Sequence, residues 1–431
     1  MKLLIKNGRA IDPANNLDDI SDLLIEEGKI VRVAKNIKNN ASRIIDATGK
    51  IVMPGLVDMH VHLREPGRED EETILSGTLA AAKGGVTTVL AMPNTQPAID
   101  SACNAEALRE IIKKNAKVGV FIVGAITKGR LGRALSDIKG LTLAGVVAIS
   151  DDGASVDDEK LFSQALKQAR RNKLLTICHC EDKSLSLQGV VNLGYASTRM
   201  GLRGISAASE YKRVERDIRL ADKAKAHVHI AHVSCRESVE MIAQAKKKGI
   251  SVTAETAPHY FALNEEAAFT YDTNMKVNPP LRSREDMLYL RQALEEGAIE
   301  VIASDHAPHI ESEKYIEFER AAFGTTGLET ELAVGITELV KPGILEWGDL
   351  VNKMSFNPAK ILGLRGKGTL SPGSDADIIV VSPDKEWTVE RNNFVSQSKN
   401  CAFLGRKLNG VVEHTIYAGE IVFVREDKPN A

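Results

Sequence analysis

Apolar runs and amphipathic stretches alternate through the middle of the chain. Eight runs recur: Gly55–Leu63, Val86–Met92, Val118–Ile126, Gly145–Ser150, Leu174–Cys180, Val228–Val233, Ile250–Glu255 and Glu300–Ser304. Between them, segments such as Glu71–Lys83, Asp158–Asn172, Ser209–Ala224 and Ser238–Lys248 place helix-forming residues at helical period. Near-continuous apolar strands separated by helices predict a parallel sheet covered on both faces. Eight such units predict an α/β fold, a (β/α)8 barrel with its catalytic groups at the carboxyl ends of the strands. Glu331–Leu339 and Leu345–Leu362 continue the outer helical layer.

The two ends have a different character. Short β-type runs, Leu3–Lys6, Asp22–Ile25 and Lys29–Val33, are broken by Asn7-Gly8 and Glu27-Gly28. Ala376–Val381, Trp387–Val389, Val411–Tyr417 and Glu420–Val424 repeat that pattern, with Ala418-Gly419 as a turn. Neither end has many strands alone, so the two are expected to pair into one small β-sandwich. This divides the chain into a barrel over 54–365 and a β unit built from 1–53 and 366–431.

Composition narrows the function. The 431 residues carry 56 Lys+Arg against 58 Asp+Glu, with no basic tract, which argues against a nucleic-acid or membrane-surface binder. The length supports a large core without disulfides or a structural metal. Five cysteines (103, 178, 180, 235 and 401) form no Cys-x-x-Cys pair, so packing is their expected role. The first residues hold too short an apolar run for a signal peptide, and no stretch reaches membrane-span length. A soluble, cytoplasmic protein is expected.

Ionisable residues collect where the runs end. His60 and His62 close the first run, and a two-residue spacing on a strand sends both rings to one face. Asp151 and Asp152 follow the fourth run, His179 ends the fifth, His232 the sixth, and Asp305 and His306 follow the eighth. A lone histidine on an apolar strand is usually a satisfied core residue. The joint placement of four His and two Asp at one rim instead predicts an all-N/O metal site, suited to zinc and tolerable to cobalt or manganese. Spacing alone leaves Asp151 and Asp152 open. His227 and His229 have the opposite strand parity to His232 and are expected to be structural. His259 is expected at the pocket or in support of it, and His414 on the β unit.

Several segments resemble a known family. Pro54-Gly55-Leu56-Val57-Asp58-Met59-His60-Val61-His62-Leu63-Arg64 is similar to the opening signature of the amidohydrolase superfamily, and Arg64-Glu65-Pro66-Gly67 narrows the likeness to the cyclic amidases. Met92-Pro93-Asn94-Thr95, Ser150-Asp151-Asp152-Gly153, His179-Cys180-Glu181-Asp182, Asn278-Pro279-Pro280-Leu281-Arg282 and Ser304-Asp305-His306-Ala307-Pro308-His309 resemble the class I bacterial dihydroorotases. The resemblance implies one or two zinc ions: His60 and His62 with Asp305 on one, His179 and His232 on the other, and Asp152 between them. It implies substrate contacts from His62, Arg64, Asn94, Asn278, His309 and the Phe323-Gly324 backbone.

The implied reaction is the reversible cyclisation of N-carbamoyl-L-aspartate to L-dihydroorotate in pyrimidine biosynthesis, with metal-activated hydroxide and Asp305 as general acid and base. Arg64 with Asn94 suits a ring carboxylate, which dihydropyrimidinase, hydantoinase and allantoinase substrates do not need. A non-catalytic scaffold for aspartate transcarbamoylase is the other alternative, disfavoured because all six ligands are present. Pairing with that transcarbamoylase is compatible with activity, and a homo-oligomer is expected. The polar segment His309–Phe323 reads equally as a mobile loop over the mouth or as a solvated helix.

Overall fold

Each apolar run of the middle chain forms a strand of one parallel sheet. In the computed structural model, which describes residues 2–38 and 41–426, the strand order follows the chain. The strands are Leu56–Val61, Val86–Ala91, Gly119–Ala125, Ala148–Ser150, Leu175–Cys178, Val228–Ile230, Val252–Thr256 and Val301–Ile302. All seven successive pairings are parallel. The ring closes where Val61 bridges His306 and the His62 N–H donates to the His306 carbonyl at 2.9 Å.

Two-sided burial explains the continuous hydrophobicity of these strands. Every residue of the first two is buried. Met59, Leu90, Val123, Ile177 and Val301 fill the inside of the barrel. Val61, Val89, Ile122 and Ile149 instead belong to the larger core beneath the helices, with Ala81, Leu108, Leu166 and Ile242. Helix starts are set by side-chain caps: Thr73 and Ser76 for Ile74–Gly84, Asp158 for Glu159–Arg171, and Ser283 for Arg284–Glu295. The first of these begins later than the helical period suggests. Glu71 and Glu72 precede the Thr73 cap and are buried, not on a helix face.

The chain ends share a second, mixed sheet. Lys2–Asp12, Leu17–Glu26, Lys29–Ala34, Arg43–Asp46 and Ile51–Pro54 come from one end, and Ile378–Thr388, Lys407–Tyr417 and Glu420–Val424 from the other. Antiparallel pairing of Ile51–Pro54 with Ile378–Val381 joins them, around a core that includes Leu3, Ile5, Leu23, Ile25, Val380 and Ile416. Asn7-Gly8, expected to break the first strand, is absorbed as a bulge, with Asn7 at φ 63 and its N–H on Asp22. Trp387 is the far end of the long strand Ile378–Thr388 and starts no strand of its own. The four cysteines at 178, 180, 235 and 401 are buried and Cys103 is exposed, all unpaired. No helix among the described residues is long and apolar enough to cross a membrane.

Gly55 carries the chain from the end sheet into the first barrel strand. A Cβ there would lie 2.2 Å from Thr87 Oγ1 on the neighbouring strand, so the close approach requires glycine. Gly55→Val is expected to destabilise the fold by about 1–3 kcal/mol through overpacking. Urea unfolding reads this directly, and an unchanged midpoint would contradict the packing account.

Candidate metal centre

The carboxyl ends of the strands bring six ligand-type side chains to one rim. His60 Nε2 lies 3.3 Å from Asp152 Oδ1 and 3.6 Å from Asp305 Oδ1. His62 Nε2 lies 3.5 Å from Asp152 Oδ2 and 3.4 Å from Asp305 Oδ1. His179 Nδ1 and His232 Nε2 are each 3.6 Å from Asp152 Oδ1 and 2.8 Å from one another. Asp152 therefore stands between the His60–His62 pair and the His179–His232 pair. Asp151, its neighbour, turns away: its oxygens accept from the N–H and hydroxyl of Thr127.

The His–Asp spacings of 3.3–3.6 Å suit a shared cation better than hydrogen bonds. Two donor atoms about 2.0–2.2 Å from one tetrahedral ion are themselves about 3.3–3.6 Å apart. Among the described residues, the facing atoms His60 Nε2 and Asp152 Oδ1 are buried without a hydrogen-bond partner, and such groups are costly unless something satisfies them. His60, His62 and Asp305 can hold one ion, and His60, Asp152 and His232 form an overlapping set.

Electrostatics express the same crowding. Burial favours the neutral forms throughout, yet the His60, His179 and His232 side chains hold Asp152 well below the usual carboxylate range. Asp305 is also held low against its burial, by a hydrogen bond from His62 and by His60 and His232. His60 is carried well above its ordinary value by Asp152 and Glu255, and His179 to about 9 by Asp152 and Glu181, in both cases against burial. Burial instead lowers His62, with the Arg64 and His60 charges adding to it. His259 is buried beside this group and is pushed by burial down to about 4. Three site residues sit at positive φ, Arg64 at 61°, His232 at 37° and Asp305 at 49°, so local backbone strain is concentrated at the rim.

Most ligand rings are oriented from their other nitrogen. His62 Nδ1 pairs with Asn94 Oδ1 at 2.9 Å, and His60 Nδ1 with Glu255 Oε1 at 2.6 Å. His179 Nε2 lies 3.4 Å from Glu181 Oε2, which also accepts from Asn278 Nδ2 at 3.3 Å. Such partners fix ring orientation and leave the facing nitrogen free for a cation. Parity on the first run carries His60 and His62 to one face, but Arg64 reaches the mouth through its left-handed turn beyond the strand end.

Around Arg64 lies a second cluster. Arg64 Nε contacts Glu71 Oε2 at 3.0 Å and the Pro308 carbonyl at 3.1 Å. Glu71 Oε1 meets His309 Nδ1 at 2.8 Å, and Glu313 meets the same nitrogen at 3.2 Å and Arg68 at 2.6 Å. His309 Nε2 faces the Phe323 carbonyl at 2.8 Å. Glu71, His309 and Glu313 could themselves surround a cation, but Arg64 and Arg68 already supply the positive charge there. The segment after His309 is helical only over Glu311–Lys314. Buried Lys314 donates to the carbonyls of Ala322 and Gly324, and burial pushes it down to about 7.

Nothing in the sequence pattern marks the end of the chain as part of the site, yet residues 396–400 brace the mouth. Ser398 Oγ donates to the Glu71 carbonyl at 2.7 Å, and Gln397 N–H to Glu72 at 3.1 Å. Asn400 accepts from the His309 N–H at 3.0 Å and donates to the carbonyls of Ala307 and Gly324. Glu255 was detectable as a carboxylate ending an apolar run. Nothing local in sequence marks Asn400.

An eight-stranded parallel barrel with His and Asp side chains convergent at its carboxyl rim, in groups that could hold a metal ion, matches the architecture of the amidohydrolase class. Residues 290–423 match the amidohydrolase family model, and residues 49–238 the dihydro-orotase-like model. A dihydroorotase of Elusimicrobium minutum is 51% identical over 98% of this chain and 97% of its own length, and one of Pelotomaculum thermopropionicum is 47% identical over 98% of each. An L-hydantoinase from Arthrobacter aurescens superposes with a TM-score of 0.89 at 27% identity, covering 97% of this chain and 95% of its own. A dihydropyrimidinase from Brevibacillus agri, at 24% identity and TM-score 0.86 over 98% and 95%, shares the fold. The chain belongs to the dihydroorotase family and is a hydrolase acting on cyclic amides.

The two aspartates of the fourth strand end separate by experiment. Asp152→Asn is expected to lower retained metal at least tenfold by elemental analysis after dialysis. Asp151→Asn is expected to keep its metal and lose about 1–3 kcal/mol of stability through the Thr127 hydrogen bonds. Equal metal loss in both variants would contradict the assignment.

Proposed function

We propose that this protein interconverts N-carbamoyl-L-aspartate and L-dihydroorotate, the ring-closing step of pyrimidine synthesis, using one or two zinc ions held by His60, His62, Asp152, His179, His232 and Asp305. The observation that carries the reading is a fixed arginine, Arg64, beside a rim built to hold a cation. The substrate makes the same two demands: a ring carboxylate to be anchored and an adjacent amide to be opened. An all-nitrogen-and-oxygen donor set supports zinc.

The residues divide the work by position. Glu71 and the Pro308 carbonyl hold the Nε side of Arg64, which fixes the plane in which its terminal nitrogens fork onto a carboxylate. Asn94 accepts from His62 through Oδ1, so its amide nitrogen is left to donate to the same carboxylate. Asn278 and the Phe323-Gly324 backbone meet the ring amide, and His309 adds a contact beside Arg64. When bound, the cation polarises the ring carbonyl as a Lewis acid and lowers the pKa of water toward roughly 7.

Asp305 is the proton carrier. Its side chain is 13% exposed against 4% for Asp152, so of the two carboxylates it is the one open to the mouth. In hydrolysis it takes a proton from the attacking water and delivers it to the ring nitrogen as the C–N bond breaks. In synthesis it takes the proton from the carbamoyl nitrogen, which closes on the side-chain carboxyl as water leaves.

Asp305→Asn is expected to fold normally and to lose turnover in both directions; substantial residual turnover would remove Asp305 from this role. Arg64→Gln is expected to raise KM for L-dihydroorotate at least tenfold while leaving zinc content unchanged. Wild-type preference for hydantoin or dihydrouracil over L-dihydroorotate, compared by kcat/KM, would overturn the substrate assignment.

A further inference from the structure

The ring of His60 is held from below by a column of hydrogen bonds running down the inside of the barrel. Its Nε2 faces Asp152 and Asp305, while Nδ1 contacts Glu255 Oε1 at 2.6 Å. The other oxygen of Glu255 lies 3.1 Å from His229 Nε2. His229 Nδ1 in turn lies 2.8 Å from Thr253 Oγ1, which His227 Nε2 approaches at 3.0 Å. His60, Glu255 and His229 are all but completely buried.

Glu255 differs from the other groups that orient ligand rings. Asn94 and Glu181 stand at the mouth, where Glu181 also meets Asn278 and Asn94 is proposed to meet substrate. Glu255 lies beneath the rim, and its side-chain partners are His60 and His229. A carboxylate on Nδ1 places the ring proton there and presents the Nε2 lone pair to a cation. Rotation of the His60 ring would break the 2.6 Å contact inside a packed barrel.

We infer that Glu255, braced by His229, is a positioning residue that fixes His60 for metal binding. His229 thereby acquires a role that strand parity did not suggest, because it acts through Glu255 and not at the rim. The inference rests on the metal reading above.

The test measures zinc affinity of the full-length protein by competition with a chromophoric chelator, alongside the visible spectrum of the cobalt(II)-substituted protein. Glu255→Gln keeps the shape and removes the charge. It is expected to raise the zinc dissociation constant about tenfold or more and to alter the cobalt bands. His229→Gln is expected to do the same more weakly, and the double variant no more than Glu255→Gln alone. Thr88→Val, which deletes an unpartnered buried hydroxyl from the adjacent barrel strand, is expected to stay within twofold of wild type. Wild-type affinity and spectrum in Glu255→Gln would overturn the inference, as would a comparable loss in Thr88→Val. If Glu255→Gln gives no folded protein, His229→Gln carries the test, since it leaves the carboxylate in place. Wild-type protein that binds no zinc would instead defeat the metal reading itself.

Discussion

Four imidazoles and two carboxylates converge within a buried rim, with His–Asp separations of 3.3–3.6 Å that suit a shared ion. Water is largely excluded there, so the polar atoms facing one another must be satisfied from within the cluster or by a cation. His60 Nε2 and Asp152 Oδ1 find no hydrogen-bond partner among the described residues. Much of the surrounding architecture serves this convergence. Parallel strands end together at one rim, the Val61–His306 bridge draws the last strand end against the first, and His232 and Asp305 accept left-handed backbone to face inward. A barrel core can impose such strain because its packing leaves few alternatives.

The substrate side is organised by a different balance. Arg64 and Arg68 interleave with Glu71, Glu313 and His309, so the guanidinium proposed to anchor a carboxylate is already held in one orientation. Preorganisation of this kind reduces the ordering cost of binding. Residues 396–400 then tie this array to the strand-eight loop through Asn400, Gln397 and Ser398. The last part of the chain thus supports the mouth in addition to completing the end sheet.

The barrel was legible because buried parallel strands must be apolar on both faces, and all eight runs show it. The shared face of His60 and His62 was legible from strand parity, and the convergence of Asp152, His179, His232 and Asp305 from their places at or just past the ends of apolar runs. Asp151 and Asp152 could not be separated by spacing, since only the turn after the strand decides which carboxylate faces His60 and which bonds Thr127. The Asn7-Gly8 signal was real, but a bulge accommodated it without ending the strand. Glu71 looked helical because its period matched, while the Thr73 cap in fact starts the helix after it. Contacts between distant residues, such as Asn400 with His309, 91 apart, or Ser398 with Glu71, 327 apart, leave no periodic trace. The Glu255–His60 pair is equally invisible until the barrel closes.

The central claim is that the His/Asp rim works through a bound metal on a carboxylated cyclic amide. Its most direct measurement is the interconversion of L-dihydroorotate and N-carbamoyl-L-aspartate by purified protein of known metal content, before chelation, after it, and after zinc is restored. The account predicts turnover that disappears with the metal and returns with zinc. Undiminished turnover in metal-free protein, or none in zinc-loaded protein, would contradict it.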